Sequence, residues 1–118
     1  MVKYESQLDA VFTALAHPAR RAMLARLSRG TATVGELAEP FEMSLPAVTK
    51  HLKVLERAEL ISRSKSAQWR LCRLEPAPLN SASGWIDEQR KVWESRLDRL
   101  ESYLHVLHNE KGRDDGNE

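Results

Sequence analysis

Several features that define common protein classes are missing from this sequence of 118 residues. Cys72 is its one cysteine, which excludes an internal disulfide framework and any metal site built only from this chain's cysteines. The longest uninterrupted apolar run covers residues 22–25, whereas a membrane-spanning helix needs about 20 apolar residues, and the first ten residues contain no apolar stretch typical of a secretory signal. We therefore expect a cytoplasmic protein that makes no membrane contact.

The residue sets that enzymes commonly use are also missing. The sequence contains no phosphate-binding glycine loop, no paired-carboxylate motif, and no serine, histidine and acid set. We therefore expect that the chain is not an enzyme and uses no cofactor. What it does contain, 42% hydrophobic and 30% charged residues, is an ordinary composition for one folded domain.

The net charge of +1 conceals a strong segregation of charge along the chain. Residues 1–16 carry a net charge of −1, and residues 17–73 carry eleven Lys and Arg against five Glu, for a net charge of +6. Residues 74–118 reverse the sign, with a net charge of −4. A basic middle beside an acidic end predicts one face for a polyanion and a second face for a different partner.

Apolar residues spaced three and four apart predict two helices at the start of the chain. Ser6 is placed to cap the first helix. His17 precedes a proline and therefore ends that helix, whereas Pro18 can open the second, which Gly30 stops. The apolar face of the first helix consists of Leu8, Val11, Phe12 and Leu15.

The next segment predicts a helix-turn-helix. Thr33 and Glu36 have the spacing of a capping box, which indicates a short third helix that ends at Pro40. After a turn, Ser44 can cap a fourth helix that has Pro46 in its first turn. The fourth helix has one apolar stripe, made of Val48, Leu52 and Leu55. A short helix, a turn and a second helix with a single apolar stripe are typical of this motif.

The second half of the chain predicts a hairpin and a long helix. Residues 60–65 and 68–74 alternate as two strands joined at Ser66 and Ala67, although neither joining residue favours a tight turn. Beyond Pro76 and Pro78, a heptad repeat predicts a long helix over about residues 79–108 whose apolar seam packs against another helix. The repeat consists of Ile86, Trp93, Leu97, Leu100, Leu104 and Leu107, with Arg90 at the missing position. Residues 109–118 are predicted to be a disordered tail.

The outward face of the fourth helix offers groups that read DNA. If the apolar stripe faces inward, hydroxyl and ammonium groups face outward, where a helix lying in the major groove meets base edges. Apolar residues near its start could also contact a thymine methyl group. The alternative is an ordinary solvated amphipathic helix. The candidate DNA-binding residues on this helix are Ser44, Leu45, Pro46, Ala47, Thr49, Lys50 and Lys53.

The hairpin is the second candidate for DNA contact, because basic residues beside a recognition helix suit phosphate or minor-groove binding. We assign this role to Arg63, Lys65 and Arg70, and less strongly to Arg73, which could point back toward the body. The alternative is that an exposed hairpin carries charge simply to protect its edges. Two further arginines, at positions 20 and 21, could contact the DNA backbone or pair with acids on the helix surface.

Four segments in matching order resemble the ArsR family of bacterial winged helix-turn-helix regulators, and the resemblance extends over about residues 8–108. They are the stretches AHPARR at residues 16–21, VGELA at 34–38, MSLPAVTKHLKVL at 43–55 and RLCRL at 70–74. The resemblance implies a mainly α fold with a small β-hairpin, in which the fourth helix recognises DNA and the hairpin is the wing. It also implies a homodimer through the first and last helices, acting as a repressor that an effector releases.

On this basis the domain assignment is a winged helix-turn-helix DNA-binding domain over residues 1–108, including the terminal dimerisation helix, followed by the tail. The expected dimer interface comprises Leu8, Phe12, Ile86, Trp93, Leu97, Leu100, Leu104 and Leu107. Two positions depart from the family pattern in shape. Glu59 replaces a usual glycine after the fourth helix, which requires either a left-handed conformation there or a different helix end. Ser66 and Ala67 replace the usual glycine-containing wing tip.

Metal and redox sensing are both weakly supported. The cysteine pair that many family members carry on the third helix is absent, and a second family site is represented only by Glu101, His105 and His108. Because that set is incomplete and a helix carboxyl end favours histidine anyway, we assign no metal. Cys72 could sense oxidants, but its alternation with Leu74 favours burial.

The sequence therefore predicts a homodimeric regulator that binds double-stranded DNA, with an effector of unknown identity as a further possible partner. A small apolar effector could lodge against Trp85 or Trp93. The alternative is a winged-helix adaptor that docks a protein partner and does not bind DNA. That alternative gives no reason for four cations to be gathered in one basic segment, namely Lys50, Lys53, Arg63 and Lys65.

Overall fold

The computed structural model describes residues 2–66 and 69–116 of the chain, together with the side chains of residues 5–65 and 69–111. It divides into two compact units, Met1–Ser83 and Gly84–Glu118. The described elements follow in the order α1 (Val2–Leu15), α2 (Pro18–Leu27), β1 (Ala32–Thr33), α3 (Val34–Ala38), α4 (Leu45–Arg57), β2 (Ile61–Ser66), β3 (Trp69–Leu74) and α5 (Ala77–Gly116). No helix among the described residues is both long and apolar enough to cross a membrane.

The hairpin belongs to a three-stranded antiparallel sheet in the order β1-β3-β2. The prediction of two strands therefore missed β1, which pairs Ala32 with Cys72 and Thr33 with Leu71. A strand of two residues is too short to show alternation, and only the tertiary pairing reveals it. Strand β2 begins at Ile61 and ends at Ser66, one residue later at each end than predicted. The predicted turn residue Ala67 lies outside the described residues.

Local capping explains where the helices of the first unit begin. The capping box is confirmed: Glu36 N–H donates to the Thr33 hydroxyl and Thr33 N–H donates to the Glu36 carboxylate, each at 3.1 Å. The Ser44 hydroxyl accepts from Ala47 N–H at 3.3 Å, so Ser44 caps α4 as predicted. The prediction for Ser6 is wrong, because α1 begins at Val2 and Ser6 lies inside it.

The first unit has one apolar core, and α4 contributes three fully buried residues to it. Val48, Leu52 and Leu55 are each 0% exposed. Leu8 also lies in this core at 8% exposed, so most of its side chain is already buried against its own chain rather than available to a dimer partner. On α1, Phe12 is the predicted interface residue that remains exposed. Cys72 is fully buried, and this burial raises the pKa of its thiol.

Helix α5 dominates the second unit. The apolar residues of its heptad repeat are exposed, from 42% at Leu107 to 62% at Trp93. The helix continues to Gly116, beyond the predicted boundary at residue 108, so the described part of the predicted disordered tail is helical. Residues 117–118 of that tail lie outside the described residues.

Helix α4 ends in a turn that requires a left-handed residue. Glu59 has φ of 60°, so of the two alternatives that its position in place of glycine allowed, the left-handed conformation is the one observed. Its N–H donates to the Glu56 carbonyl at 2.9 Å, and the N–H of Leu60 donates to the Leu55 carbonyl at 3.0 Å. These two hydrogen bonds form a Schellman motif, and the two buried leucines supply the apolar contact that accompanies it.

Because a residue with a side chain is strained in this conformation, we expect Glu59→Gly to stabilise the protein. Relief of the left-handed strain exceeds the extra entropy of glycine in the unfolded chain by about 0.5–1 kcal/mol. Urea denaturation should show this as a higher midpoint. The matched control is Ala58→Gly, one residue earlier at φ of −79°, where glycine should lower the midpoint. A lower midpoint for Glu59→Gly would contradict the strain assignment.

Candidate DNA-binding surface

Burial of one face of α4 determines which residues the opposite face presents. Lys50 and Lys53 are exposed, and Leu45, at the first turn of the helix, is 60% exposed. The remaining predicted residues of this face differ in exposure: Ser44 and Pro46 are exposed, whereas Ala47 and Thr49 are half-buried. The face therefore combines two ammonium groups with two hydroxyls and a small apolar patch, which is the chemistry that base edges and thymine methyl groups match.

Arg20 connects α4 to the junction of α1 and α2. Its guanidinium donates to the carbonyls of Ala14 at 2.8 Å and Thr13 at 3.0 Å, and it lies 3.1 Å from Nδ1 of His51 on α4. Arg21 donates to the Leu15 carbonyl at 2.7 Å. The sequence-based roles for these arginines, DNA contact or pairing with acids, missed this geometry. They satisfy the last carbonyls of α1, which have no partner within the helix.

The surroundings of His51 favour the neutral form of its ring. Its pKa lies below the usual 6.5, because partial burial disfavours the charged ring and because His17 and Arg20 add positive charge nearby. The two imidazole rings lie 4.4 Å apart. A neutral His51 can accept a hydrogen bond from Arg20 through Nδ1, and protonation would remove that acceptor.

This lowered pKa predicts that acid weakens the fold. As the pH falls through the unfolded-state value near 6.5, the unfolded chain binds a proton at His51 before the folded chain does, so the free energy of unfolding decreases. The decrease should end once the pH lies below the folded-state pKa. His51→Gln keeps an oxygen acceptor but cannot titrate, and urea denaturation between pH 8 and 5 should show a shallower decrease for this variant. Equal pH dependence in both proteins would contradict the assignment.

The strand register places the three predicted wing cations on one face of the hairpin. Arg63 lies opposite the buried Cys72, and Lys65 lies opposite Arg70, so these side chains share the face that is continuous with the core. Arg73 pairs with Ser62 on the opposite face, where its guanidinium lies 4.0 Å from the Glu75 carboxylate.

Lys65 and Arg70 form a directly opposed pair of like charges. Such a pair destabilises a hairpin, and neither residue has an acidic partner among the described side chains. A depression of about 350 Å³ lies beside Arg70. It is lined by Arg63, Trp69 and Arg70 of the wing, by Thr49 of α4 and by residues 33–35 at the start of α3. The surface is therefore concave and cationic, as a bound polyanion requires.

Two residues of this surface were not found from the sequence. Trp69 is 57% exposed and lines the depression, but a single aromatic residue at a strand end gives no specific signal. Glu56 binds the Arg63 guanidinium, with Oε1 at 3.2 Å from Nη2 and Oε2 at 3.4 Å from Nε. The two residues belong to different elements, so no helical or strand spacing could predict the pair.

The metal and redox alternatives gain no geometric support. Among the described residues, no group of three or more histidine, cysteine or acidic side chains could hold a metal ion. The Cys72 thiol is buried, and its raised pKa keeps it protonated, whereas a redox sensor needs an accessible thiolate. Structural packing therefore explains this cysteine.

Known proteins match both the sequence and this geometry. A helix-turn-helix domain family matches residues 15–63. The chain is 34% identical over 79 residues to the transcriptional repressor SdpR of Bacillus subtilis, a match that covers 67% of this chain and 88% of SdpR.

Solved structures agree. The crystal structure of the ArsR family transcriptional regulator RHA00566 superposes with a TM-score of 0.73 at 47% identity, covering 77% of this chain and 94% of that one. The fold is also that of the homodimeric winged helix-turn-helix domain Mb0332 from Mycobacterium bovis, with a TM-score of 0.61 at 20% identity over 77% of this chain and 86% of that one. The predicted winged helix-turn-helix fold is confirmed, and so is the expectation of a regulator rather than an enzyme. The chain belongs to the ArsR family of winged helix-turn-helix transcriptional regulators.

Proposed function

We propose that this protein is a homodimeric transcriptional repressor that binds an inverted-repeat DNA operator. In each protomer, α4 enters the major groove and the wing contacts the adjacent backbone. Two-fold symmetry of the protein then matches the symmetry of the site, whose halves lie about 10 base pairs apart or a multiple of that distance. SdpR, which shares a third of its aligned residues with this chain, is named a transcriptional repressor.

The observation that carries this proposal is the opposed pair Lys65 and Arg70, of which Arg70 lines the same depression as Thr49 of α4. Like charges held opposite each other cost stability, and an anion that bridges them removes the cost. The phosphates of a duplex supply such anions at regular spacing, and the two lysines of α4 extend the cationic surface along the groove. A protein-docking adaptor would not require this arrangement.

Within this surface the residues have different roles. Thr49, Lys50 and Lys53 are the candidates for base-edge contacts from α4, and Leu45, Pro46 and Ala47 are the candidates for apolar contact with thymine methyl groups. Ser44 caps the helix and aligns its start with the DNA. Lys65 and Arg70 contact phosphates, which position the protein but specify little sequence.

The exposed heptad face of α5 supports dimerisation. Six large apolar residues on one helix, each more than two-fifths exposed, form a surface that a soluble protein normally covers. A second copy can cover it, because heptad spacing lets identical helices pack their apolar residues together. The six residues are Ile86, Trp93, Leu97, Leu100, Leu104 and Leu107, with Phe12 of α1 as a further candidate.

A depression in the first unit is a candidate site for a small effector. A depression of about 520 Å³ between α2 and α3 has the volume of a small-molecule site. Its floor includes the buried Met23 and Leu37, and the ion pair of Arg26 with Glu36 lies at its edge. Trp85 and Trp93, the sequence-based candidates for an apolar effector, lie on α5 in the second unit.

The double variant Thr49→Ala/Lys50→Ala should lose specific DNA binding and remain dimeric. Each well-formed contact to a base contributes about 1–3 kcal/mol of discrimination, so loss of two side chains should weaken operator binding at least tenfold. Gel-shift titration would measure this against an operator selected from a random duplex library. A matched control is Arg29→Ala, which removes an exposed cation outside the proposed surface.

The same titration separates the two functional classes. Affinity for random duplex DNA should fall steeply as salt increases, because bound Lys and Arg side chains release condensed counterions. If the wild-type protein binds no duplex at low salt, the adaptor alternative is favoured. If the double variant binds its operator as well as the wild type does, α4 is not the recognition helix.

Replacement of Leu100 and Leu104 by glutamate should produce monomers. Two carboxylates in the apolar seam repel each other across the dimer and cannot be buried without partners. Light scattering would report the mass, and operator binding should be lost together with the dimer. The matched control is Ser95→Glu/Ser102→Glu, which adds the same charge on the opposite face of α5. A stable dimer of the leucine variant would refute this interface.

A further inference from the structure

Arg63 differs from the other cations of the wing in its surroundings. Its side chain is 18% exposed, and two of its nitrogens face the two carboxylate oxygens of Glu56 at 3.2 and 3.4 Å. Lys65 and Arg70 are exposed and have no such partner among the described side chains. From the sequence, the three residues had the same predicted role. In the structure, the charge of Arg63 is neutralised by Glu56, whereas Lys65 and Arg70 are available to bind an external anion.

The position of Glu56 explains what the pair does. Glu56 lies in the last turn of α4, and Arg63 lies in the middle of β2, on the far side of the left-handed turn at Glu59. The main chain therefore joins the recognition helix to the wing through one turn, and the two-pronged ion pair joins them a second time through side chains. Paired nitrogen and oxygen atoms fix direction as well as distance.

We propose that Glu56 and Arg63 are positioning residues that hold the wing at a fixed angle to α4, and that Arg63 does not contact phosphate in the wild-type protein. The inference rests on the proposed DNA-binding function. It assigns Arg63 a role different from that of Lys65 and Arg70, and it makes Glu56 a determinant of how many phosphates each wing neutralises. Removal of the Glu56 charge frees the guanidinium for the DNA backbone.

The dependence of DNA affinity on salt tests this directly, because the slope of log K against log[salt] changes by about 0.9 for each phosphate contact. With random duplex DNA, Arg70→Gln should lower the magnitude of the slope by about 0.9 per wing. Glu56→Gln should instead raise it by up to about 0.9 per wing, since it releases one cation. An unchanged slope for Glu56→Gln would overturn the proposal.

A charge exchange provides the second test. Arg63→Glu should weaken operator binding at least tenfold, and Glu56→Arg/Arg63→Glu should recover most of this loss by rebuilding the pair in reverse. If Arg63 contacts phosphate in the wild type, the double variant still places a carboxylate against the backbone and recovers nothing. Urea denaturation of each variant controls for global unfolding, which a partly exposed ion pair affects little.

Hydrogen exchange without DNA keeps this inference separate from the proposed function. Backbone amides of β2 and β3 should exchange faster in Glu56→Gln and Arg63→Glu than in the wild type, and the charge-exchanged variant should restore their protection. Equal exchange in all four proteins would contradict the positioning role. If the wild type binds no duplex DNA, the proposed function fails, while the exchange data still decide whether the pair positions the wing.

Discussion

Burial of the apolar stripe of α4 is the constraint on which the rest of the first unit depends. Val48, Leu52 and Leu55 are completely enclosed, and each such side chain contributes about 1.5–3 kcal/mol when it leaves water. Rotation of the helix about its axis would expose this stripe and bury lysine ammonium groups, which is far costlier. The direction in which Lys50 and Lys53 point is therefore decided by the core rather than by the residues themselves.

The elements around α4 hold the helix, and the hairpin that follows it, in a fixed position. At one side, Arg20 satisfies the last carbonyls of α1 and also meets His51, so that one guanidinium ties three helices together through a hydrogen-bonded network. At the carboxyl end, the Schellman motif and the left-handed Glu59 turn the chain sharply into β2. The strained conformation at Glu59 therefore sets where the hairpin leaves α4.

Features that depend on neighbouring residues were predictable from the sequence. The capping box at Thr33, the cap at Ser44 and the stripe of α4 each follow from spacings of three or four residues, and the structure contains all three. The left-handed conformation of Glu59 was one of two alternatives that the sequence allowed, because a helix of this kind commonly ends at glycine. Candidate DNA contacts on α4 followed from the same periodicity.

Features that depend on tertiary pairing were not predictable in this way. Strand β1 exists because β3 pairs with it, and the opposition of Lys65 to Arg70 depends on a register that the weak turn sequence does not specify. The partners of Arg20, Arg21 and Arg63 lie on other elements, and a long, flexible cation in a sequence gives no indication of which acceptor it will find. The burial of Leu8 against its own chain could not be predicted for the same reason, since helical periodicity identifies an apolar face but not what covers it.

The distribution of exposed apolar residues on α5 indicates a wider contact surface than the heptad repeat alone. A two-stranded coiled coil covers a narrow seam, but the exposed apolar surface of α5 extends beyond it to Val92 and Tyr103. An arc of that width fits a helix that contacts more than one other helix, as in a bundle. Arg90, which occupies a seam position and pairs with Asp87 on its own helix, adds a polar group where apolar packing would be tighter. In the proposed dimer, this arginine would lower the stability of the interface and restrict how the two copies can be aligned, as a single polar residue in a seam does.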